Sequence, residues 1–144
     1  MSDSLQRKID EIEQLLDNLI LETQRGIPII VEGPRDVLSL KKLQVRGDFF
    51  LAKTQGKSFL NVLKEIESSG KDEVILLLDF DKRGKDMTTY LKKNLENRRI
   101  RANIIFWKKL LGLIGRDVKD IEGLATYIQT LHKKLGKNVL CQIY

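Results

Sequence analysis

Histidine and cysteine occur once each in this 144-residue chain, as His132 and Cys141. A single cysteine excludes an internal disulfide and any multi-cysteine zinc site. A single histidine removes the usual ligand sets for zinc and iron. Any metal would therefore be held by oxygen, which favours Mg²⁺ or Mn²⁺. Long apolar runs are missing too, the longest falling far short of the roughly 20 residues of a membrane span. The polar, acidic N-terminus is unlike a signal peptide. No repeat, linker or low-complexity stretch interrupts the chain. The expectation is a cytoplasmic protein without a membrane partner. His132 and Cys141 themselves read as packing residues.

What is present suits one globular domain. Hydrophobic residues make up 42% and charged residues 32% of a chain large enough for a proper core but too short for two. The net charge of +6 is unevenly placed. Residues 1–81 hold 11 Lys/Arg against 15 Asp/Glu, a balance of −4; residues 82–144 hold 15 against 5, a balance of +10. For any single lysine a solvated helix face is the better explanation. For the whole asymmetry, a polyanionic partner is expected.

Hydrophobic periodicity organises the chain. Leu5, Ile9, Ile12, Leu16 and Leu19 form one helical seam within Ser4–Arg25, ended by Gly26. Fewer than three heptads is short for a coiled coil, so residues 1–26 are expected to pack on their own domain, in a monomer or weak dimer. Residues 27–144 then alternate strand and helix. Strands are expected at Ile27–Glu32, Phe49–Ala52, Val74–Leu78 and Ala102–Trp107, with helices from Pro34 to about Leu43, Ser58–Ser68 and about Gly84–Asn97 between them. The tail reads as one or two helices over Asp117–Leu135, then a short strand or packing segment at Val139–Ile143. Helices between consecutive strands imply right-handed crossovers and a mostly parallel, doubly covered α/β sheet.

Three carboxylates stand at two of the strand ends: Glu32, and the pair Asp79 and Asp81. In open α/β folds ligands bind outside the carboxyl ends of the strands. Carboxylate-x-carboxylate also occurs at Glu11/Glu13 and Glu65/Glu67, but those pairs sit in helical patterns, where residues two apart point about 200° apart. Asp79 and Asp81 continue a strand, where alternate side chains share a side. Convergent acids repel unless a cation sits among them, so a divalent-metal site is the economical reading. Asp36 reads as a first-turn acid favouring the helix dipole. Asp117, Asp120 and Glu122 form a second acidic knot for which helix capping is an equal alternative.

Gly56-Lys57-Ser58 lies between a strand and a helix, as a P-loop would. The full motif needs a glycine where Leu51 stands, which argues against nucleoside-triphosphate binding. Thr54, Lys57 and Ser58 remain candidates for holding one phosphate at a helix N-terminus. Arg98, Arg99, Arg101, Lys108 and Lys109 surround the fourth expected strand. Trp107, among them, reads as a core or edge tryptophan ahead of a base-stacking one.

The combination Glu32-Gly33-x-x-Asp36 with Asp79-x-Asp81-x-x-Gly84 resembles the Toprim domain. That domain is shared by topoisomerases, bacterial-type primases, recombination-mediator proteins, OLD-family nucleases and the ribonuclease that matures 5S ribosomal RNA. The segments IIVEGPRDVLSL and VILLLDFDKRGKDM look most like the small stand-alone Toprim proteins of archaea, and KDIEGL in the tail adds to the likeness. The resemblance covers about residues 27–107 and implies a compact, mostly parallel four-stranded sheet flanked by helices, here with an extra N-terminal helix. It implies Glu32 as general acid or base at a phosphodiester, Asp79 and Asp81 as holders of Mg²⁺, and Gly33 and Gly84 as turn glycines that let backbone approach closely. The chain departs from the topoisomerase version at Lys82 and Arg83, where Arg-Glu is usual. The lost acid argues against a second tightly held metal; the added charge suits phosphate.

The residues fit the chemistry on their own terms. Phosphodiester chemistry needs neutralised phosphoryl oxygens and a shuttled proton, and Glu32 would serve if its acidic neighbours raise its pKa. Lys57, Lys82, Arg83, Lys85, Arg98, Arg99 and Arg101 are the candidate phosphate contacts. The chain has no room for a topoisomerase's tyrosine domain, Tyr90, Tyr127 and Tyr144 being expected within or behind the small fold. It also lacks the cysteines of a primase zinc domain. Two expectations remain: a metal-dependent nuclease or processing factor acting on RNA or DNA, and a non-catalytic nucleic-acid or ribonucleoprotein binding module.

Overall fold

The computed structural model describes residues 2–53 and 59–143, with side chains for 3–53 and 59–136. Thr54, Lys57 and Ser58, the loop candidates for phosphate, lie outside the described residues, as does the side chain of Cys141. The elements run α1 (Ser2–Gln24), β1 (Ile29–Val31), α2 (Pro34–Lys42), β2 (Phe49–Leu51), α3 (Phe59–Ser68), β3 (Glu73–Leu76), α4 (Lys82–Asn97), β4 (Arg101–Asn103), α5 (Ile105–Ile114) and α6 (Leu124–Ile143). The strands form one sheet in the order β2-β1-β3-β4, and every neighbouring pair is parallel. All four strands therefore end at one edge.

Both faces of the sheet are covered, and the alternation of side chains shows it residue by residue. Ile29 and Val31 of β1, with Ile75 and Leu77, belong to the larger core cluster. Ile30, Val74, Leu76 and Leu78 point the other way, into a cluster with Val62, Leu63 and Ile66 of α3 and Leu91 and Leu95 of α4. The larger cluster also takes the seam of α1 (Ile9, Ile12, Leu16 and Leu19, joined by Leu15) and the buried faces of α5 and α6. Fully burying each such side chain stabilises the fold by roughly 1.5–3 kcal/mol before entropy is counted.

Two expectations about elements are corrected. The strand over Ala102–Trp107 stops at Asn103, and Ile105 already opens α5. The Asn103 side-chain oxygen accepts the Ile105 N–H at 3.0 Å, satisfying a donor at the helix start. Phe106, Trp107, Leu110 and Ile114 then bury one helical face. In the tail, residues 117–123 are turns, bends and irregular backbone, and α6 runs unbroken through Ile143, so the segment Val139–Ile143 is helical. His132 is also not a packing residue: its side chain is 45% exposed, with Nε2 3.2 Å from a Glu13 carboxylate oxygen.

Candidate functional site

The ends of β1 and β3 set the site. Beyond β1 the ladder continues for one more residue, the Lys53 N–H donating to the Glu32 carbonyl at 2.8 Å. This places the Glu32 and Lys53 side chains together, and Lys53 Nζ lies 3.3 Å from Glu32 Oε2. Glu32 is only 8% exposed. Its other oxygen, Oε1, is buried with no hydrogen-bond partner among the described residues. A buried acceptor without a donor costs about 1–3 kcal/mol, so this oxygen calls for a proton or a cation.

Asp79 lies against the same carboxyl. Burial, then a hydrogen bond with the Glu32 carboxyl and repulsion from its charge, push the Asp79 carboxyl up to about 8, against an opposing N–H from Ile121. That N–H lies 3.3 Å from Asp79 Oδ1. Asp36 is also buried and raised, first by desolvation and then by Glu32 and Glu122; the hydrogen bond from the Gly33 N–H, at 2.9 Å, resists the shift. Glu32, Asp36, Lys53 and Asp79, with Arg35 and Glu122, line a cleft of about 290 Å³. Asp120 joins its wall while its Oδ1 caps the Gly123 N–H at 2.7 Å.

The backbone behind Asp79 is held from three sides. Trp107 donates its indole N–H to the Leu78 carbonyl at 2.9 Å and lies 3.4 Å from that of Asp79. The Phe80 N–H bonds the Lys119 carbonyl at 2.8 Å. Gly84 presses closest, since a Cβ built there would lie 2.0 Å from the Asp79 carbonyl oxygen. The close-approach role expected for both glycines therefore applies to Gly84. At Gly33 the backbone is extended, with φ −150, and a Cβ would meet nothing within 4 Å. Gly33 instead contributes its N–H to Asp36.

The expected site residues separate into groups. Glu32 and Asp79 meet in the cleft. Asp81 is exposed and N-caps α4, its Oδ1 accepting the Gly84 N–H at 2.7 Å. Lys82, Arg83 and Lys85 stand exposed on the first turn of α4, at the same edge as the cleft. Arg98, Arg99 and Arg101 do not: α4 spans 16 residues, about 24 Å, and returns the chain to the edge where strands begin. There Arg98 pairs with Glu67 at 2.7 Å and Arg101 with Glu73 at 3.5 Å. Trp107 is 6% exposed and offers no face for stacking. The acidic knot divides, Asp120 and Glu122 joining the cleft while Asp117 binds Lys8 at 3.0 Å and the Tyr127 hydroxyl at 2.7 Å. Lys53 and Arg35 are cleft residues that the sequence did not single out. For Lys53 the only signal was its place just beyond an apolar strand beside the one ending in Glu32.

A cation can be tested against these groups. The carboxylates are oxygen donors, Glu32 has an oxygen without a partner among the described residues, and the Asp79 carboxyl is pushed up by burial and by Glu32. That combination suits a hard divalent ion. Among the described residues, however, no three acids are grouped as a ready-made shell.

A parallel sheet in this order, with a glutamate beyond one central strand and Asp-x-Asp beyond the other, defines a class. The Toprim domain profile matches residues 26–106, and the chain belongs to that family. It is similar to small archaeal members. A UPF0292 protein of Methanosarcina barkeri is 37% identical over 130 residues, covering 90% of this chain and 89% of its own. One of Methanocaldococcus jannaschii is 33% identical over 120 residues, covering 83% and 91%. A solved protein from Aquifex aeolicus shares the fold, with a TM-score of 0.62 at 24% identity, over 76% of this chain and 94% of that one. Membership links the chain to metal-binding nucleic-acid processing in general. Among the described residues no helix is long and apolar enough to cross a membrane.

Proposed function

We propose that this protein carries out metal-dependent phosphodiester chemistry on RNA or DNA, as a nuclease or processing factor with water as nucleophile. The observation that carries the reading is the buried Glu32 carboxylate, one oxygen unpartnered, facing the raised Asp79 carboxyl in the strand-end cleft. Glu32 is the group placed to take or give a proton at an oxygen of the phosphodiester. Asp79, with the free oxygen of Asp81, would hold Mg²⁺ or Mn²⁺, Glu32 adding a direct or water-mediated contact. Such an ion, when bound, neutralises phosphoryl charge and makes bound water more acidic. Lys53 and Arg35 present cations to a phosphate entering the cleft. The test is cleavage of labelled structured RNA, single-stranded RNA and DNA with Mg²⁺ or Mn²⁺. Slow, metal-dependent cleavage is expected. The use of Asp81 as a helix cap favours the alternative, a binding module with little turnover. Tight binding without cleavage of any substrate would install that reading instead.

Metal affinity should depend on pH through Asp79. With a folded pKa of about 8 against an ordinary 3.8, the metal-free native state holds a proton that the unfolded chain loses above about pH 4. Stability therefore falls as pH rises across that window and levels off above 8, by an amount that solvent at this half-buried group reduces. Because the ion must displace the proton, affinity should rise by up to about tenfold per pH unit toward 8 and then flatten. Calorimetry in buffers of different ionisation enthalpy reads the released proton. Equal binding by wild type and Asp79→Asn/Asp81→Asn would refute the site.

Nucleic-acid affinity should fall steeply with salt. Lys82→Ala/Lys85→Ala, at the cleft edge, should flatten the slope by about two. Arg98→Ala/Arg99→Ala/Arg101→Ala should weaken binding less, since two of those cations already face acids. A larger effect from the arginines would move the binding face to the opposite edge.

A further inference from the structure

Tyr90 is 48% exposed on α4, contrary to the expectation that it lies within or behind the fold. Its ring stands 5.5 Å from that of Phe59, tilted by 51°. Arg83, Asp86, Met87 and Tyr90 fall on one stripe of α4, three or four residues apart, and enclose with Phe59 a concavity of about 280 Å³. The domain core does not require this ring, because α4 buries Met87, Thr88, Leu91 and Leu95 against the sheet. An exposed aromatic beside an arginine, in a hollow open to solvent, is a surface suited to a flat, electron-rich ligand with negative charge attached.

Topology turns the near end of the hollow toward the edge that carries the carboxyl cleft. Both α3 and α4 begin at the edge where strands end, so Phe59 and Arg83 lie in first turns facing that edge. Tyr90 is nine residues from the Asp81 cap, about 13 Å along the axis. Lys82 is exposed in the first turn, whereas Lys85, about 140° around the axis from Tyr90, faces the other flank of α4.

We infer that Tyr90, Phe59 and Arg83 form a stacking shelf for one unpaired base of a single-stranded RNA or DNA segment. The strand's phosphates run past Arg83 and Lys82 toward the edge where the β-strands end. The inference rests on the nucleic-acid reading above and adds to it a preference for single strands, since a duplex keeps its base faces covered. The Tyr90 ring and Arg83 plane supply stacking and cation–π contact; the Asp86 carboxylate can accept from an exocyclic amino group, limiting which bases sit well.

The experiment uses short RNA and DNA oligonucleotides carrying 2-aminopurine, single-stranded and duplex, in chelator so that cleavage does not consume them. Wild type should quench the single-stranded probe's fluorescence and bind it more tightly than duplex. Tyr90→Ala should lose the quench and about tenfold in single-strand affinity, with duplex affinity and melting temperature unchanged. Tyr90→Phe should retain both signals, and Arg83→Ala should lose part of each. Unchanged single-strand binding by Tyr90→Ala overturns the shelf while leaving the nucleic-acid reading in place. A wild type that binds no oligonucleotide overturns both. A dimer that Tyr90→Ala disperses would assign the ring to a second copy of the chain and likewise overturn the shelf.

Discussion

Glu32→Gln is expected to lose at least about a hundredfold in metal-dependent cleavage while keeping its fold and its hold on nucleic acid. The substitution preserves shape and hydrogen bonding but cannot transfer a proton, and general acid–base catalysis contributes roughly 10²–10⁴-fold. The surrounding groups tolerate the change. Lys53 loses its ion-pair partner, but its side chain is 35% exposed and can return to water. Asp79 loses the charge that, after burial, holds its carboxyl up. Asp79→Asn should also fail to cleave, through loss of metal, and should melt close to wild type because the neutral amide replaces a carboxyl that burial and Glu32 already hold toward its neutral form. Cleavage that survives in Glu32→Gln at the wild-type rate would remove Glu32 from the chemistry.

The second large effect concerns stability. Gly84→Ala puts a Cβ 2.0 Å from the Asp79 carbonyl oxygen and 2.6 Å from its carbon, both backbone atoms that Trp107 and the β3 core hold in place. Overpacking that no side-chain rotation can relieve should cost about 3 kcal/mol or more, close to 10 °C in melting temperature for a domain of this size. Gly33→Ala is the matched control, since its Cβ meets nothing within 4 Å at an extended φ. It should melt within about 2 °C of wild type, because substitution at a compatible φ costs little. A Gly84→Ala protein that melts with Gly33→Ala would show that α4 does not need its close approach to β3.

Much of this was legible in the chain because the signals are local. Val74–Leu78 is apolar without interruption, as a strand covered on both faces must be. The seam Ile9, Ile12, Leu16, Leu19 marks the buried side of α1 without reference to anything else. The misreading at Ala102–Trp107 came from the same source: Ile104, Ile105, Phe106 and Trp107 have the side chains of a strand. Only the longer window through Leu110 and Ile114, and the cap that Asn103 supplies, reveal a helix. Lys53 and Arg35 carry no periodic signal; their roles come from partners 21 and 87 residues away. The distance of Arg98–Arg101 from the cleft was implicit in strand direction, since residues before a parallel strand sit at the edge opposite those after it.

Lys53 has a bearing on how the proposed metal site would behave when empty. The Lys53 ammonium stands 3.3 Å from Glu32 and the Asp79 carboxyl is raised beside it, so the proposed ion would enter a cleft whose charge is already partly balanced. Chelation should then strip the ion without unravelling the domain, and protein prepared in chelator should recharge on dialysis. Occupancy of the proposed site would then be a three-way competition among ammonium, proton and divalent ion. Lengthening, shortening or neutralising one lysine side chain is a means of tuning it without touching a single carboxylate.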